Sequence, residues 1–322
     1  MKTTLTRPRP ARFLEAMVSR RLTKLGTLLW LKRITALVIV LMAAFGATSA
    51  QAALPPLPVC DRPPVGQAGA NDSLCRVELG VPPAGVPVKG MMLILAAGAW
   101  QSGPQIVDNF IGAGIPARWN GYGWYTWTVE LTNGQQGFFD AVQQFDFLRA
   151  YFDQNPGIAS LPVCVWGGSS GGHFALLVGA IRPNVGCVVT EAAPTNLGQL
   201  TGFGLQLLQN NLAIPPAAYA AWSPVTYPQL ANMPVLLGHS QNDPVVPANQ
   251  ATQFRSSHPN SRVFLLPPAG PGQPGCVSDV VACFFISHQG DGSPIAASAI
   301  AQWRVCEQAM PTPFNVPGCP AQ

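Results

Sequence analysis

One stretch of this 322-residue chain constrains its fold more than any other: Val163-Cys164-Val165-Trp166-Gly167-Gly168-Ser169-Ser170-Gly171-Gly172-His173-Phe174-Ala175. It opens as a short apolar strand and closes as a helical segment, with glycines and two serines between. A chain that passes from strand to helix without a loop must turn sharply, and the residue at the apex is held in a strained conformation. Neighbours two residues away on either side then need clearance that only glycine supplies. The spacing Gly-x-Ser-x-Gly, set between a strand and a helix, presents a serine hydroxyl at the end of a sheet. Two frames overlap, because Gly168-Ser169-Ser170-Gly171-Gly172 also fits. Ser169 is the first serine after the strand, and Ser170 then offers its backbone N–H to an anion at the helix N-terminus.

Strand and helix patterns alternate around this turn. Strands are expected at residues 91–96, 124–131, 162–166, 187–191, 234–238 and 262–266. Helices are expected where Phe138, Phe139, Val142, Phe145, Leu148 and Tyr151 or Phe152 recur at helical spacing, and again over 294–307. Such alternation implies βαβ crossovers and an α/β fold with a doubly wound, mostly parallel sheet flanked by helices. No repeat or linker divides it, so residues 53–322 are expected to form a single catalytic domain. Its first part, 53–87, is rich in Pro and Gly and reads as an irregular, disulfide-tied lead-in. Residues 197–228 interrupt the alternation and form either a small helical cap over the site or a packed surface excursion.

Charge is unevenly placed. Nine of the 18 Lys and Arg lie in residues 1–52 with one acid, Glu15, which leaves nine bases against 13 acids and a formal charge of −4 beyond them. That distribution removes the support for nucleic-acid binding. The basic stretch precedes the apolar residues 34–45 and the small residues ending Ala50-Gln51-Ala52, the order of a secretory signal peptide with cleavage after Ala52. The alternative is an uncleaved anchor, although the apolar run is shorter than the roughly 20 residues a span prefers. Ser19-Arg20-Arg21 hints at a twin-arginine signal, and Met17 offers an alternative start. The chain is therefore expected to be exported, to the periplasm or beyond, with no stable membrane span after cleavage. All eight cysteines, Cys60, Cys75, Cys164, Cys187, Cys276, Cys283, Cys306 and Cys319, follow the proposed cut. An even number in an exported chain argues for disulfides. Pairing sequence neighbours closes the cheapest loops, Cys60 with Cys75, Cys276 with Cys283 and Cys306 with Cys319, leaving Cys164 and Cys187 on successive strands.

The turn around Ser169 resembles that of the α/β-hydrolases, within them the esterase and prolyl-oligopeptidase-like branches, where Gly-Gly-Ser-x-Gly-Gly-His is familiar. The resemblance runs from about residue 91 to 303. It implies a catalytic triad in the order Ser, Asp, His. A serine hydroxyl is a poor nucleophile at neutral pH and needs a base within hydrogen-bond reach, with an anion to orient that base. His239-Ser240-Gln241-Asn242-Asp243-Pro244-Val245-Val246-Pro247 is similar to the family's His-Gly-x-x-Asp-x-x-Val-Pro, which makes Asp243 the acid. Four histidines compete for the base. His173 is expected to pack beneath the turn, His239 to be structural and His258 to be solvated. His288 follows the final strand in a polar loop and is the base by order. Cys276 and Cys283 fall in the long interval before it, as a disulfide-tied insertion or a surface hairpin.

The resemblance also implies an oxyanion hole at Ala96-Ala97-Gly98-Ala99-Trp100, where the family carries His-Gly-Gly. Gly98 or Ala99, beside Ser170, is the expected donor. Trp100 and Trp124 are candidates for lining an acyl pocket, and equally for plain core. The leading expectation is an exported carboxylesterase acting on an ester-containing small molecule or polymer, with no metal or organic cofactor implied. A prolyl-oligopeptidase-like peptidase would use the same residues on an amide but usually carries an N-terminal propeller, for which residues 53–90 leave no room. A non-catalytic binding protein that retains the fold is the third reading.

Overall fold

The computed structural model describes residues 77–268, 288, 295–312, 316, 317 and 319. The expected leader, the lead-in up to residue 76 and Cys60, Cys75, Cys276 and Cys283 lie outside them. Among the described residues, seven strands form one sheet in the order β1-β3-β2-β4-β5-β6-β7. The strands are β1 (Val77–Gly80), β2 (Gly90–Ala96), β3 (Trp124–Glu130), β4 (Val163–Gly168), β5 (Cys187–Glu191), β6 (Val235–Ser240) and β7 (Ser261–Leu266). All neighbours are parallel except β1, which pairs antiparallel with β3. This edge strand corrects the expectation of an irregular lead-in through residue 87. Its four residues, Val-Glu-Leu-Gly, are too short to announce themselves; the exposed edge of β3 supplies the hydrogen bonds that make them a strand.

Parallel strands are covered on both faces, so β2, β3, β4, β5 and β6 are buried along their whole length. Helices α1 (Pro104–Gly112), α2 (Ile115–Gly121) and α7 (Ala297–Ala309) cover one face, and α3 (Gln135–Asp153), α4 (Ser169–Ile181) and α6 (Asn249–Ser257) cover the other. On α3 Val142, Phe145, Leu148 and Phe152 are buried as its periodicity predicts, joined by Ala141, whereas Phe139 is 50% exposed and lies off the stripe. On the opposite face Ile115, Trp119, Ile300 and Trp303 meet Trp124 and Trp166. The expected core strands and helices are present within a few residues. The spiral α1–α2 region, opened by Pro104 and Pro116 near their N-termini, is an addition.

Cys164 and Cys187 sit in register on neighbouring strands and are joined by a disulfide. A second disulfide joins Cys306 to Cys319. No described helix is long and apolar enough to cross a membrane. Residues 197–228 contain the short helix α5 (Gly202–Leu207), a π-helical turn (Leu208–Leu212) and several 3-10 turns. Leu197, Leu200, Leu208 and Leu212 are buried in the main core, whereas Phe203 is 60% exposed, so the segment is both packed and partly laid over the surface.

Candidate active site

The sheet order reverses around β2, whose partners β3 and β4 follow it in sequence on opposite sides. Loops leaving the C-terminal ends of β2 and β4 therefore diverge and leave a crevice between them. Ser169 stands at its floor. It follows β4 directly as the first residue of α4, and its φ of 49° is in the left-handed region that non-glycine residues seldom adopt. The strain is held by close backbone approach. A Cβ on Gly167 would lie 2.3 Å from the carbonyl atoms of Gly171, and one on Gly171 would lie 2.5 Å from the Leu95 oxygen. Because these obstacles are backbone, Gly167→Ala is expected to cost stability at the upper end of the about 1–3 kcal/mol typical of overpacking, measurable by urea denaturation. Ser169 is half-buried, while its neighbour Ser170 is 1% exposed with no partner for its hydroxyl among the described residues.

Asp243 follows β6, two strands along the sheet. Its Oδ1 accepts from the backbone N–H groups of Val245 and Val246, each at 2.9 Å. Its Oδ2 accepts from Nδ1 of His288 at 2.9 Å and lies 3.4 Å from Nε2 of His239. Burial alone would raise its pKa, but the bonds from His239 and His288 outweigh that cost and hold it at about 2. With Nδ1 donating to this carboxylate, the neutral His288 ring carries its lone pair on Nε2, the atom a general base uses. Ser169 and His288 line the same cleft, of about 350 Å³, together with Ala97, Gly98, Ala99, Phe110, Phe203, Leu207 and Val245.

Residues 97–101 form the opposite lip. Gly98 and Gln101 exchange both backbone hydrogen bonds at 2.9 Å, so the Gly98 N–H is already taken. Ala99 is the remaining candidate donor in this loop; its N–H meets no acceptor among the described residues. Ala99 and Trp100 have φ of 52° and 57°. Each such residue costs about 1–2 kcal/mol, so the loop is held from outside. The other histidines are accounted for. His239 Nε2 donates to the Val246 carbonyl at 2.7 Å, a structural role as expected. His258 departs from expectation: it is 1% exposed, stacked on Phe254 at 4.1 Å, with its ring nitrogens 2.9 Å from the Phe254 and Tyr227 carbonyls. Its polar neighbours in sequence suggested solvent, but it closes the C-terminus of α6, where unpaired carbonyls call for a donor.

Neither Trp100 nor Trp124 lines the cleft; both are buried. Phe110, Phe203, Leu207 and Val245 do line it; Val245 belongs to the motif around Asp243, whereas the other three carry no local motif that could have singled them out.

Residues 139–257 match the family model of BD-FAE, a family of α/β-hydrolase esterases. Among solved structures, a truncated form of a carbohydrate esterase from gut microbiota superposes with a TM-score of 0.51 at 15% identity, over 59% of this chain and 81% of that one. The chain has the α/β-hydrolase fold. An acetyl ester-xyloside bifunctional hydrolase from Caldicellulosiruptor lactoaceticus is similar over 60% of this chain and 77% of its own, with 16% identity and a TM-score of 0.49. Apo Thermogutta terrifontis esterase 2 is similar over 59% and 76%, with 18% identity and a TM-score of 0.45. No curated protein matches the sequence.

Proposed function

We propose that this α/β-hydrolase-fold protein is an exported serine hydrolase that cleaves carboxylic esters. The reading rests on one observation above all: the Asp243–His288 pair faces the cleft into which the strained Ser169 protrudes. Ser169 Oγ attacks the ester carbonyl while His288 Nε2 takes its proton, and Asp243 stabilises the imidazolium that forms. The Ser170 N–H, in the first turn of α4, and the Ala99 N–H receive the negative charge on the carbonyl oxygen. His288 then returns the proton to the leaving alcohol. Water, activated by the same base, releases the acid from Ser169.

No charged side chain lines the cleft among the described residues, and Phe110, Phe203, Leu207 and Val245 make its walls apolar. An uncharged acyl group is therefore the better fit, since burying a carboxylate there would be uncompensated. Export is supported by the signal-like leader and by the two disulfides, which persist in oxidising compartments.

A fluorophosphonate probe tests the assignment directly, because it phosphonylates only an activated serine. Wild-type protein and Ser170→Ala, which keeps the backbone N–H, are expected to label, and Ser169→Ala is expected to stay unlabelled. Labelling of Ser169→Ala at the wild-type rate would overturn the nucleophile. Comparing neutral esters with a prolyl amide separates esterase from peptidase activity.

A further inference from the structure

His173 is fully buried in the elbow helix, three residues past the second serine, and takes no part in the proton transfers above. Its Nδ1 lies 3.1 Å from the indole Nε1 of Trp100, and its Nε2 lies 2.7 Å from the backbone carbonyl of Trp222. These two contacts dictate its tautomer. An indole nitrogen can only donate, so Nδ1 must be the acceptor; a carbonyl can only accept, so Nε2 must carry the hydrogen. Burial supports this neutral form by pushing the pKa down to about 4, against the smaller opposing effect of the Trp222 carbonyl. A protonated ring would turn its Nδ1 from an acceptor into a donor facing another donor.

The two partners belong to the two structures that border the cleft. Trp100 is the second of the left-handed residues in the 97–101 loop, next to Ala99. Trp222 ends a 3-10 turn in the 197–228 segment, whose Phe203 and Leu207 form the opposite wall. The loop has further anchors: the Trp100 carbonyl accepts from the Gly134 N–H, and the Ala99 carbonyl accepts from Asn211 Nδ2, both at 2.8 Å. Those anchors hold its carbonyls, and the indole bond to His173 holds its side chain to the same helix that carries Ser169 and Ser170. Separation between the Ala99 and Ser170 N–H groups is thereby set through one helix.

We propose that His173 is a positioning residue, tying the Ala99–Trp100 turn and the Trp222 segment to the elbow helix so that the two oxyanion donors keep their spacing. The proposal rests on the serine hydrolase reading above. An interaction of this kind acts in the transition state, so its loss lowers kcat and leaves KM unchanged.

Steady-state ester hydrolysis tests it, with kcat normalised to the fraction of protein that a fluorophosphonate probe finally titrates. Trp100→Phe removes the indole donor and His173→Gln removes the acceptor at Nδ1. Each is expected to lower normalised kcat by about 10- to 100-fold, the range for a misplaced oxyanion donor, with KM within twofold. His173→Asn restores an acceptor near Nδ1 and is expected to recover at least half of that loss on a logarithmic scale. The double variant Trp100→Phe/His173→Gln is expected to be no worse than either single one, because both break the same bond. Normalised kcat at the wild-type level in either single variant overturns the proposal, as does additive loss in the double variant. A fall in titrated fraction with unchanged normalised kcat assigns His173 to folding alone and overturns it too. Failure of the underlying reading shows separately, as hydrolysis that survives in Ser169→Ala.

Discussion

Ser169→Ala is expected to lower kcat for ester hydrolysis by on the order of 10⁶, because a triad without its nucleophile retains only binding and oxyanion effects. Asp243→Asn is expected to cost less, about 10⁴, since the serine and the base both remain. The reason lies in how Asp243 is held. Two backbone N–H groups fix one oxygen and the His288 ring takes the other. An asparagine can keep one of these arrangements but not both: its amide nitrogen would face either the two N–H groups or the imidazole Nδ1–H. In the second case the ring must present the wrong tautomer to Ser169. Because Asp243 is held at about 2, it remains ionised at any pH used for assay, and its stabilising effect, complete above about 3.8, is lost only as the pH falls through about 2. An activity profile that declines below neutrality must therefore report another group. Initial rates on a chromogenic ester, with each variant's folding checked by circular dichroism, decide the matter. A loss below tenfold in Ser169→Ala would end the triad assignment.

Arg118→Met is expected to destabilise the fold by about 3–5 kcal/mol, the usual cost of stripping one member from a buried ion cluster. Arg118 on α2 reaches Glu191 at the end of β5 at 2.8 Å and Glu307 on α7 at 3.0 Å, with all three side chains nearly inaccessible. Burial opposes its charge, but Glu307 and Glu191 outweigh that and hold the guanidinium protonated more firmly than usual. The two carboxylates compete for Arg118, and Arg304 on α7 adds a second, weaker positive charge beside Glu307. Burial raises Glu307 to about 8, offset in part by Arg118 and reinforced by Glu191. Tyr122, pushed up to about 12 by burial and by Glu307, stays neutral beside it.

Glu307 holds its proton more tightly in the fold than in the unfolded chain. Its contribution to stability is complete below the ordinary carboxylate value of 4.5, declines as the pH rises, and is gone above about 8. Glu307→Gln imitates the protonated acid, so its stability relative to wild type is expected to improve as pH rises from 5 to 9. Arg118→Met is expected to stay weak throughout. Urea denaturation at both pH values measures this. An Arg118→Met variant within about 1 kcal/mol of wild type would mean that the cluster is solvated rather than sealed.

Glu191 also pairs in register with Gly168, the residue before Ser169. The cluster therefore braces the strand end against which the elbow is built, and stability and site geometry meet there.

Much of this protein could be read without coordinates because its strongest signals are local. The β4 strand, its glycines and the α4 helix are contiguous, so propensity and turn chemistry act on neighbours and leave their pattern in order. The same holds for the buried stripe of α3 and for the strands that carry Asp243's loop. Tertiary structure decided what depends on meetings between distant segments. Whether Val77–Gly80 becomes a strand depends on the open edge of β3, and whether His258 is wet or dry depends on the Tyr227 carbonyl 31 positions away. Gly98 and Ala99 look interchangeable as donors until the Gln101 carbonyl takes one N–H and leaves the other. Phe110 and Phe203 become cleft walls, and Arg118, Glu191 and Glu307 become one ionic cluster, only because separate helices converge on the sheet. Sequence alone therefore determined the elbow at Ser169 and the alternating frame around it, whose forces act between adjacent residues. The cleft's lining, the pairing of the Gly98 N–H with Gln101 and the charge balance behind the site came from packing, whose forces act between residues that only the folded chain brings together.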